Sequence, residues 1–65
     1  MTESAAVRVV PLRVVVVDDE ELARDRLETL LAQQPGIQVV GTASDGRAAV
    51  EVIERERPDL VFLDV

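Results

Sequence analysis

The stretch RVVVVDDEE, Arg13 to Glu21, decides the fold. Four valines run straight into four acids with no residue between them. β-Branched side chains fit a pleated, extended chain. A strand with one wet face alternates apolar and polar residues, and this one does not. An unbroken apolar run of this kind belongs to a strand buried on both faces, as in a parallel sheet. The acids then stand where the chain leaves that buried strand.

Downstream, the periodicity changes. From about Glu20 to Gln34 the apolar residues Ala23, Leu27, Leu30 and Leu31 fall at helical spacing and form one stripe. Asp19 or Glu20 occupies the cap or first turn, where an anion complements the helix dipole. Pro35-Gly36 stops the helix. Ile37 to about Ala43 reads as a second strand, and Ser44-Asp45-Gly46 as a turn with an N-cap. A second helix runs from about Gly46 to Arg57, with Ala49, Val52 and Ile53 on one face and an i, i+4 pair from Glu51 to Arg55. Pro58 closes it. Leu60-Val61-Phe62-Leu63 is a third apolar strand running into Asp64. Upstream, residues 1–12 read as a tail, because Pro11 interrupts any strand that Val7, Val9 and Val10 begin. Residues 13–65 form the domain. The order β-α-β-α-β predicts a parallel α/β sheet with right-handed crossovers.

Composition sets limits. A chain of 65 residues makes one small domain at most, and such a domain buries only about 60% of its unfolded surface. Cysteine and histidine are both absent, which excludes a disulfide framework and Cys/His metal sites. Phe62 is the only aromatic ring, so the core is aliphatic. The net charge of −6 argues against nucleic acid and anionic membranes as partners. No apolar run approaches membrane-spanning length, and no signal peptide is apparent. A cytoplasmic location is expected. All seven basic residues are arginine; there is no lysine.

In an open parallel sheet, ligands bind beyond the carboxyl ends of the strands, where the strand order reverses. Asp18 and Asp19 end strand one and Asp64 ends strand three. If those strands are neighbours, three carboxylates converge. Two unit charges about 4 Å apart interact by roughly 4 kcal/mol at an effective dielectric near 20. A hard divalent cation with oxygen ligands, Mg²⁺ above all, relieves that repulsion.

With these features in place, the chain resembles the first half of a response-regulator receiver domain, the phosphate-accepting module of bacterial two-component signalling. The resemblance rests on VVVVDDEE, ELARDRLETLLAQQPG, VVGTASDGRAAVEVI and RPDLVFLDV, and covers about Leu12 to Val65. It implies a flavodoxin-like, doubly wound parallel sheet, of which this β-α-β-α-β unit is the first half of five strands in the order 2-1-3-4-5. It implies that Asp64 is the phosphoacceptor and that Asp18 and Asp19 position Mg²⁺, Asp19 more directly and Asp18 partly through water. The phosphoryl donor is then a sensor histidine kinase.

The family's hydroxyl residue ending strand four and lysine ending strand five lie beyond Val65, as does the carbonyl that usually completes the metal shell. The chain is accordingly expected to be a truncated receiver that phosphorylates poorly and cannot transmit the signal. Its strand-three edge is expected to pair with a complementary receiver half or a second copy. The output is expected to be transcriptional, and EELARDRLETLL is similar to the first helix of LytTR-type regulators.

Other classes fit less well. A dinucleotide-binding domain needs glycines where DDEEL stands. Gly41 and Gly46 have P-loop spacing, but Arg47-Ala48 follows them. A haloacid-dehalogenase-type phosphohydrolase, the main alternative, places its acids as Asp-x-Asp rather than adjacent. A degenerate receiver kept for dimerisation does not need the acidic triad.

Overall fold

The computed structural model describes residues 10–64. The expected tail falls largely outside the described residues. Five elements follow one another: β1 (Leu12–Asp18), α1 (Glu21–Ala32), β2 (Ile37–Ala43), α2 (Gly46–Glu56) and β3 (Leu60–Asp64). Leu12 and Asp18 extend the first strand by one residue at each end of the Arg13–Val17 run. The sheet is parallel with the order β2-β1-β3. This is the α/β, flavodoxin-like arrangement read from the sequence.

β1 is central, and Val14, Val15, Val16 and Val17 are all buried. This explains the missing alternation, because both faces of the strand are covered. Val15 and Val17 pack with Ala43 of β2 and with Ala49 and Val52 of α2. The alternate residues Val14 and Val16 point to the opposite face, where α1 lies against β1 and β2. The two helices do not touch each other. The topology requires this: the chain steps from β1 to β2, then back across β1 to β3. Crossovers of one hand therefore place their helices on opposite faces.

The pairing of β1 with β2 shifts register between Val14 and Val15, where Val40 is the extra residue. A bulge of this kind adds local twist. It brings Gly41 opposite Val15, beneath α2. A Cβ added at Gly41 would stand 2.6 Å from Cγ1 of Val52, so this close approach requires glycine. Gly36, at φ 84°, supplies the left-handed turn into β2.

α2 begins as expected, with the Asp45 side chain accepting from the Ala48 N–H at 2.8 Å. It ends at Arg57, which adopts the left-handed conformation at φ 48° ahead of Pro58. Arg13 closes that end from the sheet. Its guanidinium donates to the carbonyls of Glu56 and Arg57 and pairs with the Glu56 carboxylate at 3.0 Å. The Arg13 N–H donates to Asp59 Oδ2, and the Asp59 N–H donates to the Arg13 carbonyl, each at 2.8 Å. The Asp of the PDL segment thus locks the start of β3 to β1.

Glu20 is the N-cap of α1, as expected, without a side-chain cap bond; its own N–H donates to Asp18 Oδ1. Two local expectations are corrected. Arg55 pairs with its neighbour Glu56, whose carboxylate is already held beside it by Arg13, and not with Glu51. The α1 stripe is only partly covered: Ala23, Leu27 and Leu31 are half-buried, whereas Leu30 is 58% exposed. No α1 residue is fully buried, since a three-stranded sheet offers the helix a narrow surface.

Candidate functional site

The sheet's carboxyl end collects the acids. β1 and β3 are neighbours, and their register pairs Asp18 directly with Asp64. Adjacent strands lie about 4.8 Å apart, which sets the spacing of these two backbones. Asp19 follows on the bend between β1 and α1. The strand order reverses between β1 and β3, so this is also the topological switch point where an open α/β sheet takes its ligand.

Their surroundings differ. Asp18 is 5% exposed, the one buried charged residue among those described. Its Oδ1 accepts the Glu20 N–H at 2.9 Å, folding the carboxylate back over the turn. Asp19 and Asp64 are exposed. Among the described residues, none of the three has an ion-pair partner; the salt bridges formed are those of Glu56 with Arg13 and Arg55. The nearest basic group to engage the site is Arg24, whose Nη1 donates to the main-chain carbonyl of Asp18 at 2.7 Å.

The sequence expected three converging carboxylates. The backbone meets that expectation for Asp18 and Asp64, but the side chains are not gathered. Among the described residues, no group of three acids stands close enough to hold a metal ion. The reason is local: Asp18 satisfies an otherwise unpaired N–H, while like charges separate when nothing positive lies between them. The donor chemistry nevertheless suits a hard cation, being all carboxylate oxygen and free of competing ion pairs.

Arg24 was not singled out by the sequence. It sits in the first turns of α1 within a run of mixed charge, ARDR, which reads as an ordinary solvated face. Only the folded turn brings its guanidinium to the end of β1. Shallow depressions along α1, around Leu22, Arg26 and Leu30, include none of Asp18, Asp19 and Asp64 in their walls.

A parallel β-α-β-α-β sheet with acids at its switch point is the frame of an open α/β domain that takes its ligand at the carboxyl ends of its strands. Residues 14–65 match the family model described as the response regulator receiver domain. The chain belongs to that family. It is 51% identical over 55 residues to protein-glutamate methylesterase/protein-glutamine glutaminase 5 of Anaeromyxobacter dehalogenans, covering 85% of this chain and 15% of that protein. An uncharacterized response regulatory protein of Yersinia pestis is 44% identical over 54 residues, covering 83% of this chain and 23% of its own length. Among solved structures, the response regulator domain of Thermotoga maritima CheB superimposes with a TM-score of 0.80 at 41% identity, covering 89% of this chain and 42% of that one. The signal receiver domain of NarL from Mycobacterium tuberculosis gives 0.76 at 40% identity, covering 80% and 42%. The chain therefore spans under half of these solved receivers and a smaller part of the curated relatives.

Proposed function

We propose that this chain is the phosphoacceptor portion of a two-component response regulator, with Asp64 as the residue that takes the phosphoryl group. The observation that carries the reading is the register pairing of Asp64 with buried Asp18 at the switch point of a receiver-family sheet. The donor is a phosphohistidine of a sensor kinase. A carboxylate oxygen of Asp64 attacks phosphorus, the P–N bond breaks with its electron pair staying on the imidazole, and an acyl phosphate forms. The imidazole takes up a proton on leaving.

Asp18, Asp19 and Asp64 are proposed to hold Mg²⁺, which supplies the positive charge that lets a dianionic donor approach three carboxylates. The chain's own residues do the rest. β1 and β3 fix Asp18 and Asp64 side by side, and the burial of Asp18 limits water on one side of the site. The role is that of a signalling module and not of a hydrolytic enzyme. Family membership supports it over the haloacid-dehalogenase-type phosphohydrolase.

The output is proposed to be an effector in a longer protein, with transcriptional control as the first reading. The relatives named protein-glutamate methylesterase favour a methylesterase output as the second. No described helix is long and apolar enough to cross a membrane, and a cytoplasmic location is part of the proposal. The outer edge of β3 pairs with no strand among the described residues, and Leu63 beside it is 64% exposed. We assign that edge to pairing with a complementary receiver half or a second copy.

Intact-mass spectrometry after incubation with a small acyl phosphate and Mg²⁺ tests the reading. Slow addition of one phosphoryl group is expected, lost in Asp64→Asn and on chelation. Addition that survives Asp64→Asn removes Asp64 from the role. Multiple turnover of phosphate esters would restore the phosphohydrolase.

A further inference from the structure

Three bonds close the turn between β1 and α1. The Asp18 Oδ1 accepts the Glu20 N–H at 2.9 Å, the Glu20 carbonyl accepts the Arg24 N–H at 2.9 Å, and the Asp18 carbonyl accepts Nη1 of Arg24 at 2.7 Å. The third differs in kind. It runs from a charged side chain to the one carbonyl that belongs to the Asp18–Asp19 peptide, and charge-assisted bonds are the shorter and stronger class. A peptide group is planar and stiff. Fixing its carbonyl therefore fixes its nitrogen and the direction in which the Cα of Asp19 leaves.

We infer that Arg24 is a positioning residue for the acid site, holding the Asp18–Asp19 peptide and through it the Asp19 carboxylate. The helix contributes to this. Arg24 is the fourth residue of α1, and its backbone bond to Glu20 anchors the base of the side chain. Asp19 itself is exposed and has no ion-pair partner among the described residues, so this turn is its support. The inference rests on the proposed Mg²⁺ role only for its consequence, not for its geometry.

A competing role has the opposite sign. A guanidinium beside three acids also lowers their negative potential, which opposes cation binding. If charge were its main effect, removing Arg24 would tighten Mg²⁺. If positioning is its main effect, removal weakens Mg²⁺, because losing a group that orients a metal ligand costs about 10-fold or more in affinity.

The experiment uses the ¹⁵N-labelled chain with Arg24→Met and Arg24→Lys, both good helix formers at this site, with far-UV circular dichroism checking that each variant folds. Metal-free spectra come first. In Arg24→Met the Asp19 amide nitrogen, bonded to the released carbonyl, is expected to shift and the Glu20 amide to exchange faster. Arg24→Lys keeps a cationic donor and is expected to restore much of both signals. Mg²⁺ titration follows, with about 10-fold weaker binding expected for Arg24→Met and near wild-type binding for Arg24→Lys. Equal or tighter binding in Arg24→Met, with an unmoved Asp19 signal, overturns the inference. A wild type indifferent to Mg²⁺ defeats the proposed metal site instead, and the metal-free signals then decide the role of Arg24 alone.

Discussion

Gly41→Ala is the most searching single change in this fold, because one methyl group meets a wall. The new Cβ falls 2.6 Å from Cγ1 of Val52, where carbon atoms ordinarily rest about 3.5–4.0 Å apart. Val52 cannot swing aside. It is 8% exposed in the middle of α2, and a β-branched residue in a helix has essentially one χ1 rotamer. Either α2 lifts from the sheet or β2 bends, and overpacking of this kind costs about 1–3 kcal/mol. Against it stands the loss of glycine's freedom in the unfolded chain, which favours alanine by about 0.4–1 kcal/mol. The net expectation is destabilisation by about 1–2 kcal/mol, read as a lower midpoint in urea unfolding followed by circular dichroism. Two companions isolate the cause. Gly46→Ala meets nothing within 4 Å and is expected to be neutral or stabilising. In a Val52→Ala background, itself destabilised by about 2 kcal/mol, Gly41→Ala is expected to cost much less. If Gly41→Ala behaves like Gly46→Ala, or if its cost persists when Val52 is trimmed, the proposed contact is not the reason for the glycine.

Two further changes probe the ends of α2. Asp45→Ala removes the acceptor of the Ala48 N–H and is expected to lower stability by about 1 kcal/mol, with Asp45→Ser recovering most of it in the same thermal melt. Arg13→Met removes the bonds to both terminal carbonyls and to the Glu56 carboxylate, whereas Glu56→Gln leaves the carbonyl bonds in place. The first is expected to cost about 1–2 kcal/mol and the second under about 1 kcal/mol, because the ion pair is partly exposed; equal costs would show that the carbonyl bonds contribute nothing.

The strands were legible because their signals are local and strong. A valine run with no alternation has one good explanation, and Val14 to Val17 are buried on both sides accordingly. The cap at Asp45 was equally plain, since Ser-Asp-Gly before an apolar-periodic segment has a definite mechanism. What periodicity could not carry was competition for partners. Glu51 lies at helical spacing from Arg55, yet Arg55 takes Glu56, which Arg13 reaches from the sheet. Spacing states who can meet, and a third residue from a distant segment decides who does. The acid site shows the same limit. Strand ends placed Asp18 beside Asp64, but no pattern announced that Asp18 would turn inward to serve the Glu20 N–H, or that Arg24 would reach back to its carbonyl.

That inward turn gives Asp18 two competing tasks, and their balance can be measured. Its carboxylate is buried, which costs free energy for a charge unless it is well paired. One N–H bond offsets part of that cost. The neighbouring charges add to it. Asp64 lies in register and Asp19 next in sequence, and two unit charges brought to about 6 Å repel by roughly 1–3 kcal/mol between the dielectric of a protein surface and that of water. Asp18→Asn keeps the shape and an oxygen that accepts the Glu20 N–H, but discards the charge. Weakening the charge-assisted bond costs about 1 kcal/mol, less than the relief expected from desolvation and repulsion together. In the absence of Mg²⁺ the variant is therefore expected to be more stable by about 1 kcal/mol, a rise of about 4–8 °C in Tm for a domain of this size. Added Mg²⁺ is expected to reverse the ranking, since only the wild type keeps all three acids to bind it. A metal-free Asp18→Asn chain that melts lower than wild type would mean that the bond to Glu20 outweighs the crowding of charge. The carboxylates would then be no burden at the end of β1, and the physical case for a cation between them would fail.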